Sequence, residues 1–532
     1  MEKLIKLIIS FSIIFSTIGA ATLKIYASPP KHGGTLIFGS EGDLPWHDPH
    51  IVFGGTPKRV VWSIFEGLVD RDRSDPNKVP PLTAKLATSW SISDDGKIFT
   101  FSLRKGVKFH DGTPFNAEAV VFNFRRIIDP DFEYFQPKAD AVKTTPLRYL
   151  TNVKAVNEHT VQLILSRPWG LFLDQLSTTL PAGIPLMMSP ASVKKWGNEE
   201  VNLNPSGTGP FKLSSYEPGI KTVLERNNEY WNRPYPYLDR LIHVVTAEES
   251  TRINALMAGE VDMITAVALD QIPSLERAGY QVALAQMMNL VWFYSLNLNE
   301  THMKDLRVRQ AMNYAINREA MTKKLLNNYC LPTWKMLPST SKVYDPNDRP
   351  YPYDPNKAKQ LLAEAGYPNG FKTNMQIPSG GSYMVAPVAM AEWVQRDLKA
   401  VGIDMQIQSF DWTTYLKHWL AKLKDDVAMN NMAWGTDYDE LWADGVMGTG
   451  KFGNTGNIVD QTLDQWFKDY EGSNTEKEAL STARKIFDRV SDKAYFLPIC
   501  IDTVPVVANK KVGNFVAIPD FMMVFDRYWI KD

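Results

Sequence analysis

Apolar positions along this chain switch repeatedly between a spacing of two and a spacing of three to four, the mark of short strands alternating with helices. GGTLIFGSEG (33–42) predicts a first strand, and Val60, Val61, Ile64 and Leu68 within 56–72 fall near helical spacing. Trp90 and Ile92 alternate with polar neighbours, as do Phe99, Phe101 and Leu103 on the far side of Asp95-Gly96. Asp-Gly between two alternating runs predicts a hairpin. Ala117, Val120, Val121, Phe124 and Ile128 share one helical face behind Asn116, a good N-cap, with Glu118 in the first turn. A second hairpin is expected over 153–168, and two strands within 204–231 after an irregular Gly-Thr-Gly-Pro. Residues 242–264 read as strand, helix, strand, with Gly259 ending the helix. Residues 305–326 read as one long amphipathic helix. Residues 354–366 read as a helix capped by Asp354, opened by Pro355 and stopped at Gly366, and 386–410 as helix then strand.

KFHDGTP (108–114) sets His110 beside Asp111 and invites a catalytic reading. Its place argues otherwise. It joins a sheet to a helix; Gly112 accommodates positive φ, Pro114 fixes its own φ, and Asp111 is placed to accept main-chain N–H groups of the turn. A general base needs an orienting partner and a substrate pocket. Nothing near His110 in the sequence supplies either, so the stretch reads as architecture.

A chain of 532 residues exceeds one core and predicts several domains. A net charge of -1 with scattered basic residues argues against nucleic acid or an anionic membrane as partner. The 15 Trp, 21 Tyr and 25 Phe supply core, with some left to line a pocket. MEKLIKLIISFSIIFSTIGAATLKIYA has the basic start, apolar run and small residues of a secretory signal peptide, cleaved after Ala21 or Ala27; an uncleaved anchor is the rival reading. No cysteine follows the run, so no lipid-modified cysteine is expected, and the expected destination is the periplasm. Cys330 and Cys500 are either a disulfide or a free buried pair.

The order of these pieces, and the blocks LATSWSISDDGKIFTFSLRKGVKFHDGTPFNAEAVVFNFRRI, NPSGTGPFKL, LERNNEYW, DLRVRQAMNYAINREA, YDPNKAKQLLAEAGYPNGF and LKAVGIDMQIQSFDWTTYL, resemble the extracytoplasmic solute-binding proteins of ABC importers, in the peptide/nickel/oligosaccharide-binding class (family 5). The resemblance implies a bilobed α/β periplasmic-binding-protein fold: two mixed-sheet lobes, a hinge of two crossover strands and an additional domain. The expected division is 1–27 leader; 28–66, 204–288 and 496–532 lobe I; 67–203 additional domain; 289–495 lobe III. It also implies capture of a small ligand between the lobes and delivery to an inner-membrane ABC permease, by a monomer, with no cofactor, no resident metal and no chemistry.

NNMAWGTDYDELWADG (430–445) matches the family block whose Asp pairs with a peptide's α-amino group, which puts Asp437 and Trp434 at the ligand; Leu441 stands where that block usually has Pro. A sealed site must meet an ammonium with a carboxylate, because an unpaired buried charge is expensive. A solvated acidic loop is the alternative. By family position Trp46 or His47 in EGDLPWHDPH also reaches the cleft. Tyr294, Ser295 and Asn297 in NLVWFYSLNLNE supply hydrogen bonds there, with a core or ladder role as the alternative for each. GVMGTGKF (445–452) misses the P-loop pattern at Phe452, and His47-Asp48-Pro49-His50 lacks the partners of a metal site. Trp46, Trp434 and Trp442 keep an oligosaccharide ligand open, and the resemblance, to a family with nickel and haem transporters, leaves a metal chelate as a further alternative. A secreted hydrolase needs a nucleophile–base pair that the sequence does not assemble.

Overall fold

The computed structural model describes residues 29–43, 47–52, 55–75, 78–144, 146–177, 185–284, 290–380, 386–435, 440, 442–502, 505–516 and 522–531. The chain opens with β1 (Thr35–Ser40) and α1 (Gly55–Ile64), then leaves to build a separate antiparallel sheet. That sheet holds β2 (Ala87–Ile92), β3 (Ile98–Leu103), β4 (Leu150–Asn157) and β5 (Thr160–Leu165) in the order β2-β3-β5-β4. α2 (Ala117–Ile128) packs on it, capped by the Asn116 side chain, which accepts the Ala119 N–H. Both expected hairpins are present, one turning at Gly96 with φ 68°.

The chain then returns to β1 with β6 (Phe211–Glu217), β7 (Lys221–Arg226), β8 (Arg240–Val245), α3 (Glu249–Ala258), β9 (Met263–Ile264) and β10 (Gln281–Ala283). Next it crosses to a six-stranded sheet: β11 (Leu290–Leu296), α4 (Leu306–Ala315), α5 (Arg318–Lys324), β12 (Cys330–Pro332), α6 (Pro355–Glu364), β13 (Phe371–Pro378), α7 (Pro387–Lys399), β14 (Ile403–Phe410), α8 (Trp412–Leu420), β15 (Val427–Trp434) and β16 (Phe496–Asp502). β17 (Val506–Ala508) comes back to the first sheet. The strand orders are β10-β17-β9-β1-β8-β7-β6 and β12-β16-β11-β15-β13-β14. Structure and expectation differ at β16: the sequence assigned 496 onward to lobe I, but β16 pairs with β11 and β12, so the return comes after Asp502.

Period-two alternation fixes how the six-stranded sheet is buried. Along β11, Val291 and Phe293 enter a core shared with the four-stranded sheet, while Trp292, Tyr294 and Leu296 enter a core closed by α4, α6 and α7. A third core, including Leu36, Phe38, Ile64, Phe211 and Leu241, lies under the seven-stranded sheet. The helix expected over 305–326 is two. Ile316 turns to φ -91° and ψ 120°, and Asn317 starts α5 by capping the Ala320 N–H while its own N–H is taken by Asp397. Period alone cannot see such a cap inside a continuous apolar stripe. Cys330 and Cys500 are disulfide-bonded, with Cα atoms 5.8 Å apart.

The KFHDGTP loop is structural. His110 is half-buried, held between Gly209 O, 3.0 Å from Nε2, and the Gly207 N–H; Asp111 accepts the Thr113 N–H and the Ser189 hydroxyl. Desolvation pushes the His110 imidazole down to about 4. Among the described residues no helix is long and apolar enough to cross a membrane, and no group of three or more His, Cys, Asp or Glu could hold a metal ion.

Candidate ligand-binding site

β1, β8 and β9 are parallel, and so are β13, β14 and β15. Parallel strands gather their carboxyl ends on one edge, where open α/β sheets bind ligands. Both crossings join these edges. β10 runs with β9 and leaves from the carboxyl edge of the first sheet. β11 is antiparallel to β15 and enters at Trp434 (Val291 opposite Trp434), and β16 leaves at the same edge. Asp502 and Val506 are four positions apart, so they lie within about 14 Å. The two carboxyl edges therefore face each other at close range.

On the seven-stranded side the edge is made by the loops after β1, β8 and β9. Thr246 N–H donates to Ser40 O and Thr265 N–H to Gly39 O, extending the ladder past the strand ends. The Thr265 hydroxyl donates to Glu41 at 3.0 Å. From α3 the buried Arg252 donates to Thr246 O at 2.7 Å, Ala247 O at 2.8 Å, Thr265 O at 3.2 Å and Ala266 O at 2.7 Å. The carboxylates here are used internally. Asp43 accepts the Tyr216 hydroxyl and the Gly219 N–H, Glu249 the Ala268 N–H, and Glu248 caps α3 through Thr251 N–H. The Ser250 hydroxyl leads the bonds that hold the Glu248 carboxyl down at about 2. Ser40 Oγ lies 2.6 Å from His243 Nε2, which resembles a nucleophile and its base. Ser40 is fully buried, and Asp43 and Glu41 bond elsewhere rather than orienting the ring, so attack on a substrate has neither access nor the third member.

On the six-stranded side β15 delivers Trp434 to the edge. Val291 pairs with both Trp434 and Ile501, which puts Trp434 two strand spacings, about 10 Å, from the return crossing. Its half-buried indole stacks on the buried Trp419, with Phe452 tilted against it at 5.6 Å. Phe410 ends β14, the strand beyond β13, and α8 follows it. The edge is aromatic where its counterpart is polar.

The other sequence candidates scatter. Asp437 and Trp46 lie outside the described residues, as does the leader. His47 is buried: its N–H donates to Asn202 Oδ1, its Nδ1 lies 3.0 Å from Asn202 O, and its ring meets Tyr216 edge-on. Burial lowers that imidazole to about 4. Tyr294 and Ser295 are buried in mid-sheet, and desolvation drives the Tyr294 hydroxyl upward. Asn297 follows β11 at the far edge, where its amide donates to Lys424 O and Val427 O and accepts from Asn457. Six strand positions, about 20 Å, separate it from Val291 opposite Trp434. Trp442 is buried against Phe487. In the glycine-rich stretch Lys451 is committed to Asp444 at 2.6 Å. His50 and Asp48 bond Arg126. The sequence missed Arg252 and Thr265. Their signal was the strand–helix–strand reading of 242–264, which already placed two strand ends on one edge.

A family model for bacterial extracellular solute-binding proteins, family 5 (its middle region), matches residues 82–455. The glutathione-binding protein GsiB of Escherichia coli strain K12 is 29% identical over 494 residues, covering 90% of this chain and 91% of that one. GsiB of Pectobacterium atrosepticum is 32% identical over 391 residues, covering 73% and 72%. Among solved structures, the periplasmic binding protein DppA of Helicobacter pylori in complex with the peptide STSA superposes with a TM-score of 0.73 at 26% identity, covering 94% of this chain and 99% of that one. CtaP of Listeria monocytogenes, at 22% identity and a TM-score of 0.82 over 94% and 100%, shares the fold.

Proposed function

The chain belongs to the bacterial extracellular solute-binding proteins of family 5, and we propose that it captures a peptide or peptide-like solute between the two facing carboxyl edges and hands it unaltered to an ABC permease of the inner membrane. One observation carries the reading: two parallel-strand edges meet across crossings of a few residues, one edge polar and hydrogen-bonded, the other aromatic at Trp434. Such a groove suits an extended peptide, whose main chain seeks hydrogen bonds and whose side chains seek apolar surface. Relatives named for glutathione and a neighbour holding a peptide support this class of ligand. The leader directs export to the periplasm. Work is done by closure: a solute bound more tightly by the closed form shifts the population toward it.

A thermal-shift screen of the mature chain tests the reading, with di- to pentapeptides, glutathione, oligosaccharides and Ni²⁺. A peptide present at a hundred times its Kd stabilises by about 2.7 kcal/mol. A shift with sugars alone transfers the site to the oligosaccharide reading suggested by the stacked indoles. Hydrolysis of a peptide revives the enzyme reading. Silence across the panel, repeated by calorimetry, overturns capture of these solutes.

A further inference from the structure

We infer that Arg252 is a positioning residue for ligand binding: it turns the loops after β8 and β9 so that four main-chain N–H groups face the inter-sheet groove as donors to a ligand's carbonyl or carboxylate oxygens. The assignment rests on the proposed capture between the two carboxyl edges.

Arg252 is 3% exposed, and its four hydrogen bonds all end on main-chain oxygens, those of Thr246, Ala247, Thr265 and Ala266. Two separate loops are thereby fixed to one planar fork, whose rigid geometry holds several acceptors at once. In a trans peptide unit the C=O and N–H point in opposite directions. Among the described residues the cis bonds precede Pro234 and Pro236, and the four units in question are trans. Drawing the four oxygens inward toward α3 therefore turns the N–H groups of Ala247, Glu248, Ala266 and Val267 outward. None of the four donates to a described atom, and Ala247, Glu248 and Ala266 are exposed. Ala266 also holds φ 53°, a left-handed conformation that is unfavourable for a non-glycine residue and persists only where its surroundings enforce it. Its carbonyl and that of Thr265 both end on Arg252. The third loop joins through the Thr265 hydroxyl on Glu41.

A matched control exists within the same chain. Arg309 is buried in an equivalent cage, donating to Met303 O, Lys304 O and Lys493 O. That cage lies at the far edge of the six-stranded sheet, beyond the pairing of Ser295 with Phe496.

The experiment compares wild type, Arg252→Met and Arg309→Met by calorimetry against a panel of tripeptides that includes glutathione, and by amide hydrogen exchange. Both variants are expected to lower Tm. Only Arg252→Met is expected to weaken the best tripeptide about tenfold or more, a loss of about 1.4 kcal/mol, while Arg309→Met stays within about twofold. The tripeptide is expected to slow exchange at Ala247, Glu248, Ala266 and Val267 in wild type and not in Arg252→Met. Equal affinities in the two variants, or unchanged exchange at those four amides when peptide binds wild type, overturn the assignment while leaving capture intact. Absence of tripeptide binding to wild type overturns the underlying reading and the assignment with it. Should Arg252→Met not fold, Arg252→Lys keeps the charge but cannot span both loops, and the same outcomes decide.

Discussion

Trp434 lies nearly flat over Trp419, the two rings 5.7 Å apart between centroids and 9° from parallel. The two rings differ in exposure: Trp419 is buried and Trp434 is half-buried. Trp434→Ala is expected to raise the Kd for a peptide ligand about tenfold or more with little change in Tm. Trp419→Ala is expected to cost about 3 to 5 kcal/mol of stability. Calorimetry and thermal melts on both variants check the split; a Trp434→Ala protein with unchanged affinity removes that indole from the site.

The Cys330–Cys500 bond closes a loop of 170 residues and ties the edge strand β12 to β16, two residues before the chain leaves for the other sheet. Chain entropy sets an upper estimate of about 5 kcal/mol for such a loop, and typical native bonds give about 2 to 5. Cys330→Ser with Cys500→Ser, or reduction of wild type, is expected to lower the urea midpoint by a corresponding amount. Identical midpoints with and without reductant contradict this.

Asp48 and Arg126 form a fully buried bidentate pair, at 2.7 and 3.1 Å, that pins the loop after β1 to α2. His50 Nδ1 lies 2.8 Å from the same guanidinium. Arg126→Met strands a carboxylate in the interior and is expected to destabilise by about 3 to 5 kcal/mol. The double variant Asp48→Asn with Arg126→Met is expected to recover part of that loss in equilibrium unfolding, because the uncompensated charge is gone.

Burial holds the imidazoles of His47, His50, His110 and His243 down at about 4, against about 6.5 in an unfolded chain. Between those values the unfolded chain binds protons that the folded one refuses. Stability is therefore complete above about pH 6.5, falls as the pH drops toward 4, and stops falling on this account below 4. Each imidazole contributes a slope of about 1.4 kcal/mol per pH unit inside the window. Urea midpoints at pH 7.5, 6 and 5 read it, and His110→Asn is expected to reduce the slope by about one proton's worth. A flat profile from 7.5 to 5 contradicts the burial of these rings.

Local rules made much of the fold legible. Asp95-Gly96, the Asn116 cap, Gly259 in the left-handed region and Asp354 before Pro355 each decide a turn or helix end within a few residues, and each is present. The break at Ile316 was hidden because it depends on Asp397, eighty positions away, accepting the Asn317 N–H. The site was legible only in part. The block around Trp434 singled out a residue that lies at the carboxyl edge, but Asn297 and His47 carry residue types that serve a ligand or a loop equally well, and only their carbonyl and amide partners distinguish the two. Arg252 was invisible for a related reason: four acceptors on two loops are a three-dimensional fact, and a lone arginine in an amphipathic helix looks like surface charge.

Four positions from Asp502 to Val506 keep one half of the molecule permanently within reach of the other. An intramolecular partner on so brief a tether acts at high effective concentration, so shutting on a solute demands little search and little loss of freedom. Changing the length of that span should alter how tightly cargo is gripped without touching a single residue that meets it.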